Sequence, residues 1–427
     1  MTAIAMLVLL IVLLLTGLPV AFAMGFISAL YLVLADIDLG MLTQRATVSV
    51  DSFLVLAIPF FYLAGELLNA CKLTDRIVAM ARSLVGHFPG GLAQVNTLSA
   101  MVFAGMSGSA TADTAALGSV LIPAMKKEGY PAGFAAAVTI AGGMVGPIIP
   151  PSGAMVIYAA LADVSAGKML LAGIVPGFTI IAVQMVFNHW MAKRHGFPRH
   201  PRAEWPERLQ AIRRGSPALM LPLIIVGGIL TGIFTPTEAA AVAVLYGLML
   251  GTIIYRNVTW REAWTAFVDV GLASARILII VAFASAFSWI MVREGVPQAI
   301  AGALHALTDD RTVIMLLVIA FLIVVGLFMV ASSAEIVLTP ILVPVVVAFG
   351  IDPVHFGVLF VYLLIIGGGT PPVGVLLYIA QDIAKIDFPT MCRAMLPYYV
   401  PMGIAVLLIA FIPELSLWIP NAVFGKG

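Results

Sequence analysis

Gly146-Pro-Ile-Ile-Pro-Pro-Ser-Gly153 returns 221 residues later as Gly367-Gly-Gly-Thr-Pro-Pro-Val-Gly374, with glycine, Pro-Pro and glycine in register. The same offset pairs Gly105 with Gly326, Pro123 with Pro344 and Gly129 with Gly350. Both octets interrupt long apolar runs: residues 129–162 and 353–381 contain no Asp, Glu, Lys or Arg. A Gly-rich Pro-Pro break removes helical hydrogen bonds, leaving carbonyls at the end of one half-helix and N–H groups at the start of the next. Within a bilayer such backbone survives only where it is buried in protein or lines a wet cavity. The carbonyl end suits Na⁺, and the positive N-terminal end suits a carboxylate.

Composition sets the solvent. The chain has 427 residues, 62% hydrophobic and 10% charged, with a net charge of +1. A soluble domain runs to about 25% charged residues, and apolar stretches long enough to span a bilayer recur here from end to end. Membrane lipid is therefore a partner. Near-neutral charge argues against nucleic acid, which needs a basic face. Cys71 and Cys392 fall beside cytoplasmic segments and do not form a disulfide framework. The six histidines lack metal-ligand spacing, and no P-loop occurs. The N-terminus passes from Met1 directly into apolar residues without a basic n-region, so it reads as a span rather than a signal peptide.

The pattern predicts an all-α polytopic membrane protein built as an inverted repeat, with two re-entrant helical hairpins and two broken transmembrane helices. The first repeat is 1–195: scaffold spans within 2–71 (2–17, 19–35 and 53–71), an amphipathic arm helix 74–87, a hairpin 91–127, a broken helix 131–162 and a span 167–192. A basic cytoplasmic linker covers 196–215. The second repeat is 216–427: scaffold spans within 217–292 (217–233, 237–255 and 268–292), arm helix 296–307, hairpin 311–350, broken helix 353–381 and span 394–416. Five crossings per half make an odd number, so the second half lies inverted on the first. Paired interrupted helices in inverted repeats point to the midplane site of a secondary transporter.

Orientation follows from Lys and Arg. With 193–214 cytoplasmic, sixteen of the 22 basic residues fall on that side, including Lys72, Arg76, Arg82, Lys126, Lys127, Arg256, Arg261, Lys385 and Arg393. Arg45, Lys168, Arg293, Arg311 and Lys426 fall outside, and Arg276 lies within a span. This bias is the positive-inside rule, and it places both termini outside.

The hairpin tips are Gly105-Met-Ser-Gly-Ser-Ala-Thr-Ala-Asp113 and Val330-Ala-Ser-Ser-Ala-Glu335. Both present hydroxyls and small residues. Candidate solute contacts are Ser109, Thr111, Ser152, Ser333 and Thr370, although Ser and Thr in membrane helices often bond back to their own carbonyls. Asp113 and Glu335 follow the tips and read either as site residues or as half-helix caps, with the structural role favoured. Arg276 reads as a snorkelling residue near the cytoplasmic end of its span, Glu238 as a helix cap, and Trp260, Trp264 and Trp418 as interfacial anchors. An anion at uncharged breaks lacks a side-chain cation, which a co-bound Na⁺ supplies; a proton relay would need acids or His in series. An intramembrane hydrolase using Ser107 or Ser109 would need a basic partner that the sequence does not place nearby. A passive channel would need a continuous polar lining.

The hairpin run 105–113, the segment 146–152, Phe234-Thr-Pro-Thr-Glu-Ala-Ala240 and Gly367–Gly374 together resemble the large membrane subunit of tripartite ATP-independent periplasmic (TRAP) transporters, the DctM-like family. The resemblance covers essentially the whole chain. It implies a Na⁺-coupled secondary transporter of elevator type in a bacterial or archaeal cytoplasmic (inner) membrane, with no enzymatic activity. It further implies a separate small four-helix membrane subunit and a periplasmic substrate-binding protein that delivers an organic acid, a carboxylate or a sulfonate. In that family Na⁺ sites lie between each hairpin and the broken helix of its own half. The matching positions are Ser107, Ser109, Gly146 and Pro150 in the first half, and Gly326, Ser332, Gly367 and Thr370 in the second. A stand-alone Na⁺/carboxylate symporter, working without a binding protein, is the alternative.

Overall fold

The computed structural model describes residues 3–71 and 73–425, so Met1, Thr2, Lys72, Lys426 and Gly427 lie outside the described residues. All its regular elements are helices. The first half opens with α1 (Ala3–Leu15), α2 (Val20–Leu34), α3 (Gly40–Val50) and α4 (Ala57–Ala70), followed by the arm helix α5 (Thr74–Val85). Helices α6 (Gly91–Ser107) and α7 (Ala110–Lys127) form hairpin one. The first broken helix comprises α8 (Ala132–Gly143) and α9 (Gly153–Leu161); α10 (Ala166–Ala172) and α11 (Ile174–His195) close the half.

The order then repeats. Scaffold helices α12 (Trp205–Leu230), α13 (Pro236–Met249, extended by a π turn) and α14 (Trp260–Arg293) lead to arm helix α15 (Val296–Leu307). Hairpin two is α16 (Arg311–Phe328) and α17 (Ala331–Ala348), and the second broken helix is α18 (Pro353–Gly368) and α19 (Val375–Ala384). The chain ends in α20 (Phe388–Met395), α21 (Tyr399–Phe411) and α22 (Glu414–Phe424). Among the described residues seven helices are long and apolar enough to cross a membrane. Large apolar side chains such as Val186, Ile233, Leu245 and Leu272 face outward, as lipid-facing residues do.

Several expected boundaries move, each for a local reason. The interval between the second and third spans contains α3, which packs on α14. The expected linker 196–215 is helical from Trp205, because Pro206 sits in the first turn where its missing N–H costs nothing. Helix α14 starts at Trp260 rather than 268: Thr259 and Glu262 form a reciprocal capping box ahead of the apolar run. The span at 167–192 is divided at Gly173, and that at 394–416 is divided between α20, α21 and α22, with Pro397 and Pro413 at the divisions. Glu238 does cap its helix, in a second capping box with Thr235.

Buried polar side chains tie the first hairpin, the first broken helix and the two late spans into one block. Tyr398 donates to Asn188 Oδ1 at 2.7 Å, and Asn188 donates to Thr97 at 2.8 Å. Asn96 donates to Thr139 at 2.7 Å, and Gln184 to the Ala141 carbonyl at 2.8 Å. Each such bond between membrane helices contributes about 0.6 kcal/mol, up to ~2. The two halves are joined where Tyr158 on α9 donates to the Pro353 carbonyl at 2.7 Å.

Candidate functional site

Both hairpin tips and both breaks converge on one cavity of about 240 Å³. Hairpin one contributes Gly108, Ser109 and Thr111; hairpin two contributes Gly326, Ser332 and Glu335. The breaks contribute Pro147, Gly367, Gly368 and Gly374, and Tyr62 reaches in from α4. Among the described residues no Lys, Arg or His lines it.

The tip of hairpin one is shaped by two residues. Gly108 adopts φ +61°, a left-handed turn that glycine takes without strain, and a Cβ there would run into the Pro151 carbonyl of the first break. Ser109 then caps α7, accepting from Ala112 N at 3.4 Å, and its hydroxyl lies 3.1 Å from that of Thr111. Ser107 turns the other way: its hydroxyl donates to Asp113 Oδ1 and accepts from Ser109 N at 3.1 Å. Asp113 is fully buried, and its Oδ2 has no hydrogen-bond partner. A Cβ built on Gly146 would meet that same Oδ2, so the carboxyl group rests directly against the break, with the Gly143 carbonyl 3.2 Å from the same point. A hydroxyl, a carboxylate and main-chain oxygens at a helix end make a hard-oxygen set that fits Na⁺. A buried carboxylate left without a cation would be costly.

The second half is built differently. Gly326 on α16 and Gly367 on α18 meet backbone to backbone; a Cβ on Gly326 would come within 3.0 Å of Gly367 Cα. Applying the 221-residue offset to Asp113 gives Ala334, so this half lacks the matching carboxylate. Glu335, one residue on, lines the central cavity instead, 3% exposed and with Oε1 unpartnered. The Thr370 hydroxyl donates back to the Ile366 carbonyl at 2.7 Å. Ser332 lines the cavity, and its hydroxyl makes no hydrogen bond among the described residues.

Of the residues singled out from sequence, the structure brings Ser109, Thr111, Gly326, Ser332 and Gly367 to the shared cavity. Ser107 and Gly146 meet behind hairpin one through Asp113, and Pro150 lies in the break alongside them, its carbonyl 3.8 Å from a Cβ built on Gly105. Ser152 is fully enclosed; its hydroxyl caps α9 by accepting from Met155 N at 3.1 Å and donates to the Pro147 carbonyl at 2.5 Å. Ser333 faces a separate crevice. For Asp113 and Glu335 the sequence leaves a site role and a capping role open, favouring the structural one. Neither caps a helix: Ser109 caps α7, and the residue preceding α17, Val330, makes no side-chain cap.

Comparison with known proteins agrees with this architecture. The family model for the DctM component of the tripartite ATP-independent periplasmic transporter matches residues 7–415. The chain is 38% identical over 416 residues to the sialic acid TRAP transporter large permease protein SiaM of Vibrio cholerae, covering 97% of each. It is 38% identical over 402 residues to the 2,3-diketo-L-gulonate TRAP transporter large permease protein YiaN of Escherichia coli, covering 94% of this chain and 95% of that one. In fold it resembles the YdaH transporter of Alcanivorax borkumensis, with a TM-score of 0.64 at 16% identity over 89% of this chain and 88% of that one.

Proposed function

Since this chain belongs to the DctM component family of tripartite ATP-independent periplasmic transporters, we propose that it imports an organic acid, a carboxylate or a sulfonate, in symport with Na⁺. The acid arrives from a periplasmic binding protein, and a small four-helix membrane subunit completes the membrane part. The complex sits in the bacterial or archaeal cytoplasmic membrane with both termini of this chain outside, as the distribution of basic residues implies.

The observation that carries the coupling is the Asp113 carboxyl group, fully buried, with Oδ2 free of any hydrogen bond and pressed against Gly146. Na⁺ bound between Ser107, Asp113 and the first break satisfies that oxygen and holds hairpin one against the break. The second ion lies between hairpin two and the second break, where Gly326, Ser332, Gly367 and Thr370 supply hydroxyl and main-chain oxygens. The cavity between them has hydroxyls, helix ends and no side-chain cation, so the acid enters a site whose positive charge comes from the bound ions. The hairpins, broken helices and late spans move as one block against the scaffold, an elevator; the interhelical bonds through Asn188, Asn96 and Gln184 support that unit.

The test is uptake into proteoliposomes containing this chain and its small subunit, across a panel of labelled carboxylates and sulfonates, with the binding protein or the inward Na⁺ gradient omitted in turn. Uptake that persists without Na⁺ defeats the coupling. Uptake that persists without the binding protein favours the stand-alone symporter.

A further inference from the structure

Arg276 has no place in that mechanism and no partner among the described residues. It lies 16 residues past Trp260 in the 34-residue helix α14, close to the middle of a rod about 51 Å long. Its guanidinium makes no hydrogen bond, ion pair or ring contact, and the residue is exposed. An arginine in a membrane helix either snorkels to lipid phosphate at the interface or serves an anion in a wet cavity.

Arg276 lines a crevice of about 830 Å³ between α14, the α1–α2 turn and the tip of hairpin two. Two tip residues, Met329 and Val330, line both this crevice and the central cavity. The tip is therefore the partition between a cavity with no cation and a crevice with one. Ser333, on the crevice side, adds a hydroxyl that makes no hydrogen bond. We propose that this crevice is an anion-selective vestibule, in which Arg276 and Ser333 take the acidic group of the solute once it has cleared Met329 and Val330. With the orientation implied by the basic residues, this is the cytoplasmic flank. The proposal rests on the transport reading for the identity of its anion. The physics is simple: a carboxylate or sulfonate leaving an uncharged site moves toward the nearest unpaired guanidinium, which binds either group with two parallel hydrogen bonds.

The experiment needs neither the natural solute nor a Na⁺ gradient, so its outcome is independent of the coupling test. Ser333→Cys is made in a Cys392→Ser background, Cys71 being buried. The chain is reconstituted with its small subunit in phosphatidylcholine, and its labelling rates by an anionic sulfonatoethyl and a cationic trimethylammonioethyl methanethiosulfonate are compared. The expected result is a preference for the anionic reagent that Arg276→Gln reduces about tenfold, that Arg276→Lys largely keeps, and that high salt suppresses in the arginine protein. The salt series keeps the test valid if Arg276→Gln misfolds. A preference that neither salt nor Arg276→Gln changes overturns the proposal. A thiol unreactive toward both reagents does so too, because the crevice is then closed to water. So does a preference abolished by adding phosphatidylglycerol, because a lipid phosphate then holds the guanidinium.

Discussion

Gly367 Cα stands where a side chain on Gly326 would have to go, 3.0 Å from a Cβ built there. The obstructing atom belongs to main chain and cannot swing aside, so the end of α16 is fixed against the end of α18. Gly326→Ala is expected to cost about 1–3 kcal/mol through overpacking and to lower Na⁺-dependent uptake. Gly403→Ala is the control: a Cβ there meets nothing within 4 Å, and alanine in a helix interior is favoured by about 1 kcal/mol over glycine. Thermal unfolding of both variants in detergent is the measurement. Equal stability of Gly326→Ala and the parent chain would remove the close approach from the account.

Asp113→Asn keeps the shape of the side chain and removes the charge that faces Gly146. The half-saturating Na⁺ concentration is expected to rise at least tenfold, which is about 1.4 kcal/mol, with a smaller rise for Ser107→Ala. Because the second half has Ala334 where the offset would place an acid, the defect falls on one ion, and the Na⁺ dependence of uptake becomes less steep rather than vanishing. Stopped-flow or thermal-shift titration with Na⁺ against K⁺ reads both effects. A Na⁺ dependence unmoved by Asp113→Asn excludes the carboxylate as a ligand.

Ser152 and Ser109 both cap a half-helix, yet they are expected to differ in function. Ser152 is fully buried with its hydroxyl engaged twice, while Ser109 and Thr111 line the cavity. Ser152→Ala should lose about 1 kcal/mol of stability, the usual worth of a cap, and leave the half-saturation for the acid unchanged. Ser109→Ala and Thr111→Val should raise that half-saturation severalfold, Ser109→Ala with a cap loss of stability like that of Ser152→Ala. A concentration series of uptake, run beside melting curves, separates the two patterns. A raised half-saturation in Ser152→Ala would return it to the solute contacts.

The hairpins and breaks are legible in sequence because their signals are local: glycine, Pro-Pro and hydroxyl residues interrupting otherwise uncharged runs. Arm helix α15 occupies the residues its amphipathic pattern picks out, 296–307. What escaped is tertiary. The approach of Asp113 to Gly146 depends on how hairpin one crosses the break, and no spacing encodes that crossing. The opposite fates of Ser332 and Ser333, adjacent in sequence and facing different cavities, depend on the rotation of α17. Other misses had a readable signal. Thr259-x-x-Glu262 is a capping box that starts α14 eight residues before its apolar run, and starting there moves Arg276 from the end of a span to the middle of a helix. Ser152 likewise precedes an apolar helix, as an N-cap does.

The contact between Tyr398 and Asn188 supplies the last prediction, because it separates a mechanical role from a binding role. Asn188 is fully buried, receives the Tyr398 hydroxyl at 2.7 Å and donates to Thr97 at 2.8 Å, linking α11 to hairpin one on one side and to the late helices on the other. None of the three lines the central cavity. Asn188→Leu strands the Tyr398 hydroxyl against an apolar group, which costs about 1–3 kcal/mol, and removes the bond to Thr97, whose hydroxyl keeps its donation to the Ala93 carbonyl at 3.2 Å. Tyr398→Phe removes only one donor and should cost less, about 0.6–2 kcal/mol. If the hairpin and the late spans travel as one body, Asn188→Leu lowers the maximal uptake rate while the half-saturation values for Na⁺ and acid stay near normal. The double variant with Tyr398→Phe should then be less damaging than the sum of the two, since both remove the same bond. Additive losses in stability would mean that the two side chains act separately. A shift in ion or acid half-saturation would mean that the network shapes the site rather than carrying it.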